Sequence, residues 1–147
     1  MPRELAVDWG ERRVGLAVSD PTGLLATGLP TLTVNGRDEA VRGVARVAAE
    51  QEAERVVVGL PLLLSGEKGE AARRAEDFAE ALRVALNLPV ETWDERLTTA
   101  LSARRLHETG VRGARARARL DQGAAVALLE TYLERLRHGE GREHEPT

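Results

Sequence analysis

A chain of 147 residues with 42% apolar residues, no cysteine and a formal net charge of −3 has the size and composition of one globular domain. The missing thiols exclude disulfides, thiolate nucleophiles and cysteine-ligated zinc or iron–sulfur centres, so any metal must be held by oxygen or imidazole. There is no apolar run of about 18 residues, and MPRELAVDWG enters a strand-like segment without the apolar stretch of a secretory signal; both point to a soluble, cytoplasmic protein with no membrane partner.

Apolar runs bounded by turn residues predict strands over residues 4–9, 13–19 and 28–34, and their short connections suggest an antiparallel meander. A helix follows over 37–53 with Val41, Val44, Ala45 and Ala48 on one stripe. The run RVVVGLP at 55–61 is apolar on both parities, which is the pattern of a parallel strand buried on both faces. A second helix over 70–86 carries Ala71, Ala75, Phe78, Ala79 and Leu82, and a fifth strand lies near 90–94. TTALSARRL (98–106) reads as a helix, and LDQGAAVALLETYLERL as another whose stripe is Asp121, Ala125, Leu128, Leu129, Tyr132 and Leu136. The whole is a mixed α/β sheet in a single domain spanning 1–137, followed by a polar tail, 138–147, expected to be disordered.

Carboxylates stand where folding would want something else. Asp8 lies inside the first strand, and a buried, unpaired carboxylate costs several kcal/mol, roughly, even after relaxation. A salt bridge to Arg12 or Arg13, or a cap on the Gly10 turn, would account for it alone. Asp94 and Glu95 sit where the fifth strand runs out, the end at which α/β sheets place their sites, although Asp94 or a nearby Thr could cap the next helix. Asp121 heads an apolar stripe; it could be a helix N-cap, but Ala124 occupies the place where a capping box wants Glu or Gln. If these acids converge, two of them about 4 Å apart repel by about 4 kcal/mol at an effective dielectric near 20. Such a cluster calls for a cation or for protonation. All-oxygen ligation suits Mg²⁺ or Mn²⁺, and paired ions on such a site hydrolyse phosphodiesters, with Asp8 then bridging them.

The charge is unevenly spread. RRLHETGVRGARARAR (104–119) holds six arginines in addition to Glu108 as its one acid, a local +5 in an otherwise acidic chain. A solvated helix face would explain the run, but arginine is also suited to bidentate phosphate contact, making Arg112, Arg115, Arg117 and Arg119 candidate nucleic-acid contacts. His107, His138 and His144 form no ligand pattern. Aromatics are few, so recognition should rest on phosphate charge and backbone shape.

The blocks DWGERRVGLAVSD (8–20), VGLP (58–61), DERLTT (94–99) and LDQGAAVALLETYL (120–133) resemble, in order and spacing, the signature blocks of the YqgF family, whose members are described as pre-16S ribosomal RNA nucleases and, earlier, as Holliday-junction resolvases. The resemblance implies a ribonuclease-H-like α/β fold, a five-stranded mixed sheet with helices on both faces. It also implies an acidic, metal-dependent catalytic site at Asp8, Glu95 and Asp121, with Asp94 adjacent to the second position, and phosphate contacts from Arg12, Arg13 and Arg96. Expected substrates are the 5′ end of precursor small-subunit ribosomal RNA, free or in ribosomal precursor particles, or junction DNA, cut by a monomer or a homodimer. Two departures stand out: Leu62-Leu63-Leu64-Ser65-Gly66 replaces a polar stretch found in many relatives, and the basic segment is arginine where relatives have lysine.

Two other readings compete. D-x-G followed by a further Gly also resembles the phosphate loop of actin-like ATPases, which close two such domains around the nucleotide where this length supplies one. A binding module with no catalysis is the other.

Overall fold

The computed structural model describes residues 3–97 and 114–138, with side chains from 120 onward in the second stretch. In chain order the elements are β1 (Glu4–Trp9), β2 (Arg13–Ser19), β3 (Ala26–Thr33), α1 (Arg37–Glu50), β4 (Arg55–Leu60), α2 (Glu70–Ala85), β5 (Val90–Asp94), a 3₁₀ turn (Glu95–Leu97) and α3 (Ala114–Arg137). They form one five-stranded sheet in the order β3-β2-β1-β4-β5. The meander β1-β2-β3 is antiparallel, and β4 joins β1, and β5 joins β4, in parallel through helical crossovers. The α/β fold with a mixed sheet is thus as expected; the third strand begins at Ala26 rather than 28.

The pleat divides the strands between two cores. Leu5, Val7, Val14, Leu16, Val56 and Val58 face α1 and α2, where Val44, Phe78 and Leu82 close over them. Ala6, Ala17 and Val57 face α3 and meet Ala124, Ala125, Leu128, Leu129 and Tyr132. Trp9 stacks on Phe78 with centroids 4.4 Å apart and rings within 8° of parallel, tying the end of β1 to α2. As its two-sided apolar pattern predicts, β4 is buried on both faces, from Val56 to Leu60.

Three details differ from the sequence reading. The buried stripe of α1 is Ala40, Val44, Val47 and Ala48; Ala45 lies about 100° around the helix from Val44, whereas Val47 lies only about 60° away and is larger. In α2 the buried alanine of the first turn is Ala72, not Ala71, because Leu60, Trp9 and Leu62 form a satellite cluster on its side. Asp121 is no N-cap: it lies well inside α3, which begins at Ala114. The expected helix over 98–106 and most of the tail lie outside the described residues, as do His107 and His144. His138 is exposed, 3.9 Å from Glu134. Among the described residues no helix is long and apolar enough to cross a membrane.

Candidate active site

Period-two alternation sets the site. Asp8 follows Leu5, Ala6 and Val7 on β1, so it faces α3, on the parity of Ala6. Its neighbours across the sheet on that face are glycines. Gly15 is its register partner on β2, and β4 places Gly59 one step beyond the Val7–Val58 pair.

Each glycine is covered by an acid from elsewhere in the chain. A Cβ at Gly15 would overlap the carbonyl oxygen of Asp121 and stand 3.3 Å from its Cβ, so a side chain there would push α3 off the sheet. A Cβ at Gly59 would stand 2.7 Å from Glu95 Oε1 and 2.7 Å from Leu128 Cδ1. Asp8, Glu95 and Asp121 are all buried, at 6%, 4% and 7% exposure. Three acids separated by up to 113 residues in sequence (121 − 8) therefore lie over adjoining strands on one face of the sheet.

The neighbouring pair Asp94 and Glu95 is divided by the same alternation. Trp93 packs into the α3 core with Tyr132 at 5.3 Å, edge to face, and Glu95, two residues on, returns to that face. Asp94 takes up Arg96 instead: Nη2 donates to Oδ2 at 2.7 Å, Nε to Oδ1 at 3.1 Å, and the Arg96 amide to Oδ1 at 2.9 Å. This holds the Asp94 carboxyl below the usual carboxylate range, mainly through the Arg96 side-chain hydrogen bond. Arg96 also donates to the Leu64 carbonyl at 3.3 Å, pinning the departing Leu62–Gly66 segment beside the turn that carries Glu95.

Of the basic candidates, Arg12 is exposed on the β1–β2 turn. Arg13 is half-buried, and its Nε donates to Asp121 Oδ2 at 2.8 Å. Arg112 lies outside the described residues, and Arg115, Arg117 and Arg119 lie in the first turns of α3, where only the backbone is described.

Oxygen donors, burial and shared orientation fit a hard divalent cation. As the side chains stand, no group of three Asp, Glu or His residues among the described residues is close enough to hold one ion. The two glycines fix the close approach of Asp121 and of Glu95 to the sheet.

Sequence reasoning missed a second polar cluster at the opposite end of the same face. Tyr132 on α3 accepts a hydrogen bond from Arg55 Nη1 at 2.8 Å and donates to Glu91 Oε2 at 2.6 Å. Glu4, 3% exposed, lies 3.8 Å from Arg55, and its Oε2 finds no hydrogen-bond partner among the described residues. Burial pushes its carboxyl up to about 7 against the pull of Arg55. The available signal was Glu4, an acid on the buried parity of β1 like Asp8.

A five-stranded mixed sheet in the order β3-β2-β1-β4-β5 with helices on both faces is a ribonuclease-H-like fold. Solved structures agree on the fold. The chain is similar to Thermus thermophilus RuvC in complex with a Holliday junction substrate, with TM-score 0.63 and 20% identity over 95% of this chain and 97% of that one. It is also similar to the fowlpox virus resolvase bound to Holliday junction DNA, with TM-score 0.53 and 14% identity over 91% and 98%. The particular family follows from sequence: residues 2–135 match RuvX, described as Holliday junction resolvase, and the chain belongs to this family, the one whose signature blocks were recognised above as YqgF. Relatives include a protein of Chloroflexus aurantiacus, 40% identical over 96% of this chain and 92% of its own length, and one of Mycobacterium sp., 46% identical over 92% and 81%; both bear the provisional name pre-16S rRNA nuclease. The protein is accordingly a nuclease, a hydrolase acting on nucleic acid, and membership implies dependence on a divalent metal.

Proposed function

We propose that the chain hydrolyses phosphodiester bonds at the 5′ end of pre-16S ribosomal RNA, with Asp8, Glu95 and Asp121 holding Mg²⁺ or Mn²⁺. The observation that carries the site is the placement of these three buried acids over Gly15 and Gly59 on one face of the sheet. The choice of RNA is supported by the names of relatives 40–46% identical. When bound, divalent ions on such a site lower the pKa of the attacking water and stabilise the departing oxygen. The protein's own residues do the rest. Burial of the acids strengthens their attraction for a cation by removing solvent screening, and Asp8, near the end of the central strand, would orient the donor set. Arg12, Arg13 and Arg96, with Arg112, Arg115, Arg117 and Arg119, bind and align the phosphate backbone, which gives binding that weakens steeply with salt.

Junction DNA is the second reading, favoured by the description of the family itself. Symmetric cleavage of a four-way junction needs two active sites related by a two-fold axis, hence a homodimer.

One experiment separates the readings: purified protein with Mn²⁺ is offered pre-16S ribosomal RNA and a four-way DNA junction, alongside Asp8→Asn. Cleavage of the RNA near its 5′ end, reduced by about 10²–10³-fold in the variant while its melting temperature holds, is the expected result. Cleavage of the junction alone reassigns the substrate, and wild-type cleavage undiminished by Asp8→Asn removes the acids from the mechanism.

A further inference from the structure

One of the three acids is already held by a cation of the protein's own. Arg13 opens β2 on the α3 face, and its Nε reaches Asp121 Oδ2 at 2.8 Å, a contact between residues 108 apart in sequence. The Asp121 side chain is 10% exposed and that of Arg13 35%, so the guanidinium spans from the buried carboxylate to solvent. The main chain at Asp121 has no room to yield toward the sheet, because its carbonyl oxygen and Cβ are packed against Gly15. Only the carboxylate torsions can re-aim it.

These facts set up a competition. A divalent ion drawn to Asp121 competes with the guanidinium for the same carboxylate, whose Oδ2 is already engaged in a charge-assisted bond, and a guanidinium displaced from it can be taken up by another oxyanion. A phosphodiester of an incoming strand is such an oxyanion, and its two free oxygens match the planar fork of arginine.

We infer that Arg13 is an exchangeable counter-charge: it neutralises Asp121 in the free protein and passes to a substrate phosphodiester when a strand binds, releasing the Asp121 carboxylate to a divalent cation at that moment. This rests on the reading of Asp8, Glu95 and Asp121 as the metal-holding set. The consequence is a linkage. Nucleic acid raises affinity for the metal, and the metal raises affinity for nucleic acid by the same factor. An ion is then assembled at the site chiefly when there is a bond to cut. Arg13 is thus a positioning residue in addition to a phosphate contact.

The test measures Mn²⁺ binding by calorimetry on the full chain, with and without an uncleavable 2′-O-methyl RNA hairpin, for wild type, Arg13→Gln, Arg13→Lys, Arg12→Gln and Asp8→Asn. Wild type should bind Mn²⁺ about tenfold more tightly once the hairpin is present, the scale expected for exchanging one charge-assisted hydrogen bond. Arg13→Gln should bind Mn²⁺ at the tighter level without the hairpin and gain less than about twofold from it, with Arg13→Lys between the two. Arg12→Gln removes the same charge from the adjacent, exposed position and should leave Mn²⁺ affinity in the hairpin-free protein unchanged. An Arg13→Gln protein with wild-type Mn²⁺ affinity, coupling that survives the substitution, or an equal effect from Arg12→Gln would overturn the inference. Should Arg13→Gln fail to fold by circular dichroism, Arg13→Lys carries the test, and undiminished coupling in it is equally fatal. Failure of the underlying reading shows separately, as Mn²⁺ binding that Asp8→Asn leaves intact.

Discussion

The two faces of the sheet are built from the same strands and do different work. Toward α1 and α2, β1 and β4 present Leu5, Val7, Val56 and Val58, and the space is filled by large side chains up to Phe78. Toward α3 the same strands present Glu4, Ala6, Asp8, Val57 and Gly59, two acids among smaller residues. The second face gives up apolar bulk, and with it the stabilisation of about 1.5–3 kcal/mol that each large buried side chain supplies. In return α3 and the 3₁₀ turn come close enough to lay Asp121 and Glu95 against the backbone. On these strands apolar bulk is concentrated on one face and the proposed catalytic acid on the other, one residue out of step.

Substitutions that touch a single face probe this division. The largest effect on stability should come from Phe78→Ala, which opens a cavity in the first core and removes the stack on Trp9; a loss of about 3–5 kcal/mol is expected in denaturant unfolding. Below its melting transition the variant should cleave substrate within a few-fold of wild type, and a large loss of cleavage would mean the faces are not separable. Gly15→Ala should cost about 1–3 kcal/mol through overpacking against α3. Its distinguishing mark is a fall in cleavage of about 10²-fold, since a displacement of about 1 Å at Asp121 is felt at the reacting bond. Wild-type activity in Gly15→Ala would show that the close approach of α3 to β2 has no part in catalysis.

Glu4→Gln probes the far end of the α3 face. Burial raises the Glu4 carboxyl from 4.5 to about 7, so between those values the native state holds a proton that the unfolded chain has released. Stability therefore falls as pH rises from about 4.5 to about 7 and is level, for this group, above that. Glu4→Gln should be more stable than wild type by about 2 kcal/mol at high pH, since the variant carries no carboxylate to bury. The difference should disappear below pH 4.5. Equal melting temperatures at both ends of that range would show that Arg55 already neutralises Glu4.

Much of this was legible beforehand, and the limits are instructive. Asp8 could be found because an acid on a strand parity that must be buried has no folding reason to be there, and Asp121 because it interrupts an apolar stripe. The alternation that separates Asp94 from Glu95 was also present in the sequence, in the apolar Trp93 two places before Glu95. The glycine cradles were out of reach, because they depend on which strands are neighbours and in what register, which no local pattern states: Gly15 matters through Asp8 beside it and Asp121 above it. The Arg13–Asp121 contact closes over 108 residues and was equally hidden. Alanine-rich helices misled for a different reason: α1 and α2 offer small residues on adjoining stripes, so tertiary neighbours such as Leu60 decide which alanine is buried.

The smallest expected effect is also the sharpest test of the alternation. Asp94 and Glu95 carry the same charge one residue apart, yet Asp94 is spent on Arg96 while Glu95 lies buried over Gly59. Asp94→Asn should lower stability by under about 1 kcal/mol, as for a partly exposed ion pair, and keep cleavage within a few-fold of wild type. Because Arg96 depresses the Asp94 carboxyl, that small contribution is present at neutral pH and is lost as pH falls through the depressed value, so wild type and variant should converge in acid. Glu95→Gln should instead leave the fold standing, weaken Mn²⁺ binding and cut cleavage by about 10²-fold. Reversal of the two phenotypes would mean that the strand delivers its acid on the Asp94 parity, and the site would have to be rebuilt on the other face of β5.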